Sequence, residues 1–132
     1  MRVASVAGAA IAAAGLVVGV WAQQPAFKRT VLQQVDVSMP GREAVTALAE
    51  FEPRAASGRH THPGEEIGYI LEGQFVVEQE GKPALTLHAG QTFFIPAGTV
   101  HNATNSASGT GRVLATYVVE KGKPLATPAA AK

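Results

Sequence analysis

His60-Thr61-His62-Pro63-Gly64-Glu65-Glu66-Ile67-Gly68-Tyr69-Ile70-Leu71-Glu72-Gly73 is the stretch on which the fold turns. Its second half carries branched and aromatic residues from Ile67 to Leu71 and closes on Glu72-Gly73, a turn signal. Phe75 to Glu78 has the same character, so the two segments read as neighbouring strands joined by a tight turn. The first half sets two imidazoles at positions i and i+2. Side chains alternate along a strand, so both rings project to one face. Pro63-Gly64 is a bend that can carry the chain around, so that Glu66 opens the next strand near the two histidines.

The same rhythm continues outward. Ala44 to Phe51 sets Val45, Ala47, Ala49 and Phe51 on one face and Thr46, Leu48 and Glu50 on the other. Leu85 to Leu87, Thr92 to Ile95 and Val113 to Val119 add short strands, and Val31 to Val37 reads as an additional strand packed outside. Gly81-Lys82-Pro83, Ala89-Gly90, Pro96-Ala97-Gly98 and the Ser/Gly cluster from Asn105 to Gly111 are turns. Strands recurring about every ten residues predict an all-β domain, a small antiparallel barrel or sandwich. No helical period follows residue 22, and no internal repeat is visible.

The two ends differ from this middle. Met1-Arg2 precedes an uncharged run of small and apolar residues from Val3 to Val20, and Val20-Trp21-Ala22 offers a cleavage site. Residues 1–22 therefore read as a signal peptide cut after Ala22, which places the mature protein in a periplasm or outside the cell. The alternative is an uncleaved membrane anchor, because the run sits at the lower limit for spanning. The domain proper is expected over residues 23–120. Residues 121–132 carry Pro124 and Pro128 and are expected to form a flexible tail.

Composition excludes several functions. The chain has 132 residues and no cysteine, so disulfides, iron–sulfur clusters and thiol nucleophiles are absent. Net charge is +1 without a basic run, and aromatic residues make up 6%, which argues against a nucleic-acid partner.

Three histidines and one carboxylate carry the chemistry. A β-barrel can bring the distant His101 beside His60, His62 and Glu66. Imidazole nitrogens with a carboxylate oxygen suit one divalent first-row ion: Fe, Mn, Ni, Cu, Co or Zn. Such a set leaves positions open for water or substrate. His88 has no partner at useful spacing and reads as exposed.

These residues resemble the two motifs of a single-domain cupin. The first motif, H-x-H, a short gap, Glu, six residues, Gly, stands here as His60-Thr61-His62, Glu66 and Gly73. The second stands as Gly90, Pro96-Ala97-Gly98, His101 and Asn105. The resemblance implies a jelly-roll barrel, or double-stranded β-helix, with His60, His62, Glu66 and His101 as metal ligands. It selects Glu66 over Glu65 by the spacing to Gly73, and allows Glu66 to act also as a catalytic base. Strand alternation then turns Gly68 and Ile70 inward with Glu66, and Ile67, Tyr69 and Leu71 outward. The resemblance gives Asn105 a structural role, and Gly73, Gly90, Pro96 and Gly98 turn positions. One departure is Arg54, where the first motif usually opens with Gly; it would put a cation near the barrel mouth.

Phe75, Phe94, Tyr117 and Ile70 are candidates for an apolar wall beside the metal, or for ordinary core. Arg42, Arg54 and Arg59 are candidates to orient an anionic substrate, or are simply exposed. The expected activities are metal-dependent chemistry on a small molecule, of the kind seen in quercetin dioxygenase-like cupins, or ligand binding without turnover; a third is a purely structural metal. The resemblance also implies a homodimer through Ile67, Tyr69 and Leu71.

Overall fold

The computed structural model describes residues 26–130, so the leader expected over residues 1–22 lies outside the described residues. Ten strands and no helix occur among the described residues. They are β1 (Phe27–Asp36), β2 (Arg42–Phe51), β3 (His60–Thr61), β4 (Gly64–Glu72), β5 (Gln74–Gln79), β6 (Leu85–His88), β7 (Thr92–Ile95), β8 (His101–Asn105), β9 (Gly111–Glu120) and β10 (Thr127–Pro128). Two five-stranded sheets result, ordered β1-β2-β9-β4-β7 and β10-β3-β8-β5-β6, with every pairing antiparallel. This is the expected all-β jelly-roll architecture.

Alternation decides which residues form the core. Along β2, Val45, Ala47, Ala49 and Phe51 are buried, as their apolar phase requires. Along β9, Val113, Ala115, Tyr117 and Val119 do the same. Phe51 of β2 meets Phe75 of β5 edge to face, with ring centroids 4.9 Å apart, so aromatic packing joins the two sheets. Truncating a fully buried aromatic such as Phe75 to Ala costs about 3–5 kcal/mol.

Three expectations are corrected. First, β4 and β5 are consecutive but do not pair; they belong to opposite sheets. The turn at Gly73 is a crossing between sheets, not a hairpin. Gly73 has φ of 92°, and a Cβ there would meet the Gly111 Cα at 3.1 Å, so both the conformation and the space favour glycine. Second, β1 begins at Phe27 rather than Val31 and pairs along β2 as the edge of the β1-β2-β9-β4-β7 sheet. Third, the tail expected from residue 121 is engaged with the barrel. Thr127 and Pro128 pair with β3, the Ala129 N–H donates to the Arg59 carbonyl, and Leu125 packs against the cluster containing Tyr117 and Val119. Proline is tolerated in β10 because that strand is at the sheet edge.

Asn105 is fully buried, and its amide ties loops together. Nδ2 donates to the Glu52 carbonyl (3.1 Å) and the Gly109 carbonyl (2.8 Å), while Oδ1 accepts from the Ala107 N–H (3.1 Å). Its role is structural, as the resemblance implied. Arg54 adopts φ of 65°, the left-handed conformation that glycine takes without strain. The arginine holds this turn by donating from Nη1 to the Ser106 carbonyl.

Candidate metal centre

The two sheets contribute unequally to the site. His60 and His101 are cross-strand partners where β3 meets β8. His62 follows the end of β3 on the same face as His60. Glu66 comes from the other sheet, where it lies opposite Tyr117 on β9 and Ile95 on β7. All four side chains are buried, and one ligand atom from each lies within 4.8 Å of all the others. The expected set therefore does converge. Glu65 is half-buried and stands outside this cluster, and His88 is exposed.

Each imidazole is oriented from behind. His60 Nδ1 donates to the Gly58 carbonyl (2.7 Å), His62 Nδ1 to the Leu125 carbonyl (2.6 Å) and His101 Nδ1 to the Thr99 carbonyl (2.8 Å). A carbonyl only accepts, so Nδ1 carries the proton and Nε2 of the neutral ring carries a lone pair. These lone pairs face one another. His60 Nε2 is 3.1 Å from His62 Nε2, and Glu66 Oε2 is 3.1 Å from His62 Nε2 and 3.0 Å from His101 Nε2.

Lone pairs at such distances repel unless a cation stands among them. Shared protons can serve, but burial holds His60 down, to about 4, with the His101, His62 and Arg29 charges adding to the effect against its bond to Gly58. A divalent ion satisfies all four donors at once. Ligands about 2.0–2.2 Å from one ion stand roughly 3 Å apart when they meet it at a right angle. The donor set thus fits a metal, and the four residues can hold one. Burial pushes the Glu66 carboxyl up, but when His101 and His62 also carry a proton on Nε2, as they can without a metal, their hydrogen bonds and charges outweigh it and hold Glu66 at about 2. Burial also raises the Tyr117 hydroxyl above its ordinary range, helped by the Glu66 charge.

Beside the four residues lies a cavity of about 20 Å³, room for one or two waters when each needs about 10–15 Å³. Tyr117 lines it, as expected. Phe94 does not: β7 turns Phe93 inward and leaves Phe94 52% exposed, so Phe93 takes the wall position. Ile70 and Phe75 are ordinary core. None of the three expected arginines lines this cavity. Arg42 donates to the Pro63 carbonyl, Arg54 sits beside Ser106 at the far end of β8 rather than near the mouth, and Arg59 pairs with Glu80 at 3.0 Å. The arginine that does reach the cavity is Arg29, which lies before the strand expected at Val31. The apolar–polar–apolar run Phe27-Lys28-Arg29-Thr30-Val31 gave no signal that an arginine faced inward.

Residues 47–122 match the Cupin domain family. The chain belongs to the cupin family. It is 33% identical over 79 residues to the HTH-type transcriptional regulator PuuR of Escherichia coli (strain K12), a match covering 59% of this cupin but only 42% of the regulator. Among solved structures, the DMSP lyase DddQ from Ruegeria pomeroyi DSS-3 superposes with a TM-score of 0.62 at 23% identity, covering 77% of this cupin and 51% of that chain. A recombinant oxalate oxidase in complex with glycolate gives a TM-score of 0.63 at 21% identity, covering 78% and 55%. At these identities the two structures share the fold.

Proposed function

We propose that this cupin is a metal-dependent enzyme acting on a small molecule, with chemistry of the oxygenase kind. The carrying observation is that three Nε2 atoms and the Glu66 carboxylate face one point while every Nδ1 is tied to a backbone carbonyl. A bound divalent ion would supply Lewis acidity and, if redox-active, electrons for reaction with dioxygen. His60, His62 and His101 hold the ion, and Glu66 serves as fourth ligand and as proton acceptor at Oε2. Phe93 and Tyr117 keep the adjoining space narrow and largely free of bulk water. The fold is shared with proteins named an oxidase and a lyase, which is in keeping with an enzyme.

The test starts with metal analysis of the purified protein, where about one equivalent per chain is expected. Oxygen uptake is then followed with a panel of small enols, diketones and catechols. Uptake in step with substrate loss supports the enzyme. A protein that carries no metal and takes up none in titration overturns the metal site. One observation favours a second reading, a module that holds its ligand without turnover: the curated relative is named a regulator rather than an enzyme. Tight retention of a panel compound with no oxygen uptake would select that reading.

Two further proposals concern setting. Ile67, Tyr69 and Leu71 are about half exposed on β4, and Phe94 lies across from Ile67, forming an apolar face suited to a homodimer. A monomer in sedimentation would refute it. Export with cleavage after Ala22 predicts Gln23 as the mature N-terminus by sequencing of the native protein.

A further inference from the structure

Arg29 enters the barrel from β1, and its side chain lines the cavity that His60, Glu66 and His101 also line. The guanidinium carbon is 5.2 Å from the Phe27 ring centroid and 5.7 Å from that of Tyr117. Contact of this kind leaves guanidinium N–H groups available to acceptors, and part of that N–H edge is directed at the Tyr117 hydroxyl. That edge lacks a partner in one respect: Nε is shut off from solvent and has no hydrogen-bond acceptor among the described residues. The other arginines near either end of the barrel have acceptors, Arg42 and Arg54 in backbone carbonyls and Arg59 in Glu80. A buried charged donor left without an acceptor is costly, so its placement calls for an acceptor from outside the chain.

A second space continues outward from this point. A depression of about 220 Å³ shares Phe27, Arg29, Ser57 and His60 with the inner cavity, and its outer wall adds Gly58, Arg59, whose guanidinium is paired with Glu80, and Ala126 and Pro128 of the C-terminal segment. The inner cavity, at about 20 Å³, excludes an organic molecule. The outer one accommodates a small one, and its walls are mostly apolar. Arg29 stands where the two meet. Charge points the same way. With neutral imidazoles, a divalent ion and Arg29 outweigh the single Glu66 carboxylate, so the junction carries an excess of positive charge.

We propose that Arg29 is an anion-recognition residue and that the small molecule taken by this site is an organic carboxylate with an apolar body. The carboxylate accepts from the in-plane edge of Arg29, and the apolar body rests between Phe27 and Pro128 in the outer depression. Charge-assisted bonds to a guanidinium fork are the strong, geometrically selective way to hold a carboxylate. This inference rests on the small-molecule reading above, but not on which reaction follows.

The probe is benzoate, with benzamide as its uncharged match, titrated calorimetrically into zinc-loaded and metal-stripped wild type, Arg29→Gln and Arg29→Lys. Benzoate is expected to bind wild type at least about tenfold more tightly than benzamide, and at least about tenfold more tightly than it binds Arg29→Gln. Arg29→Lys keeps the charge but loses the fork and should fall between. The Arg29 Nε–H resonance should move on addition of benzoate. Equal affinity for benzoate and benzamide, equal affinity in wild type and Arg29→Gln, or no saturable benzoate binding at millimolar concentration overturns the proposal. If Arg29→Gln does not fold, the benzoate–benzamide comparison and the Nε–H shift in wild type decide. The two readings fail separately. Arg29-dependent benzoate binding by protein that takes up no zinc upholds this inference and sinks the metal site. Zinc binding without preference for benzoate does the reverse.

Discussion

β8 begins with one buried polar side chain, His101, and ends with another, Asn105. Through its register with β5, His101 stands opposite Gln79 and Asn105 opposite Phe75, so the two mark opposite ends of the barrel. At the Asn105 end, the amide is satisfied by Glu52, Gly109 and Ala107, all atoms of the chain itself. At the His101 end, the inward-facing Nε2 meets only another lone-pair donor, Glu66. Burial is the same; the bookkeeping of donors and acceptors is opposite. A buried polar group satisfied by its own chain closes the fold, whereas buried groups that can satisfy only a third party form a site.

The sharpest way to break this contrast is His101→Ala. Metal affinity should fall by more than about 100-fold, beyond what loss of an outer contact costs, while the metal-free protein keeps its fold by circular dichroism. Asn105→Ala should show the mirror image. Several buried backbone groups lose their partners, and stability in urea should drop by about 3 kcal/mol, with metal stoichiometry unchanged in the folded fraction. A chain ending at Pro124 tests the support behind the site. His62 loses the Leu125 carbonyl, and metal affinity should fall about 10–100-fold in competition titration.

Acid should also separate the ends. His60 is held to about 4 in the folded protein but has an ordinary value of 6.5 when unfolded, so the unfolded chain binds the extra proton between those values. Stability of the metal-free protein should therefore decline as pH falls from 6.5 to 4, and His60→Gln should flatten that decline in thermal melts. The smallest effect is expected at Arg54. Arg54→Gly should be about 1 kcal/mol more stable than Arg54→Ala, because both lose the bond to Ser106 but only glycine accepts the left-handed turn without strain.

Much of this was legible beforehand because it is written locally. The inward phase of β2 follows from four alternating apolar residues, and the resemblance to the cupin motif, through its spacing to Gly73, separates Glu66 from Glu65. What escaped has a physical reason in each case. A glycine turn reads the same whether the chain folds back or crosses to the other sheet; at Gly73 the difference lies with Gly111, a distant neighbour. Phe93 and Phe94 are identical in sequence, and only the pairing of β7 with β4 decides which one points inward. The acceptor behind His62 is a backbone carbonyl, which no side-chain pattern announces. Arg29 was missed because the edge strand starts earlier than its most apolar part.

The Leu125 carbonyl has a consequence for biosynthesis. All four ligand side chains precede position 102, yet the atom that sets the His62 ring is supplied 63 residues after that histidine. During translation, a nascent chain that has just delivered His101 holds every metal donor but not the brace for one of them. A chain folded only that far lacks the His62 brace, so full metal affinity is expected once the segment around Leu125 has docked, in whichever compartment that happens.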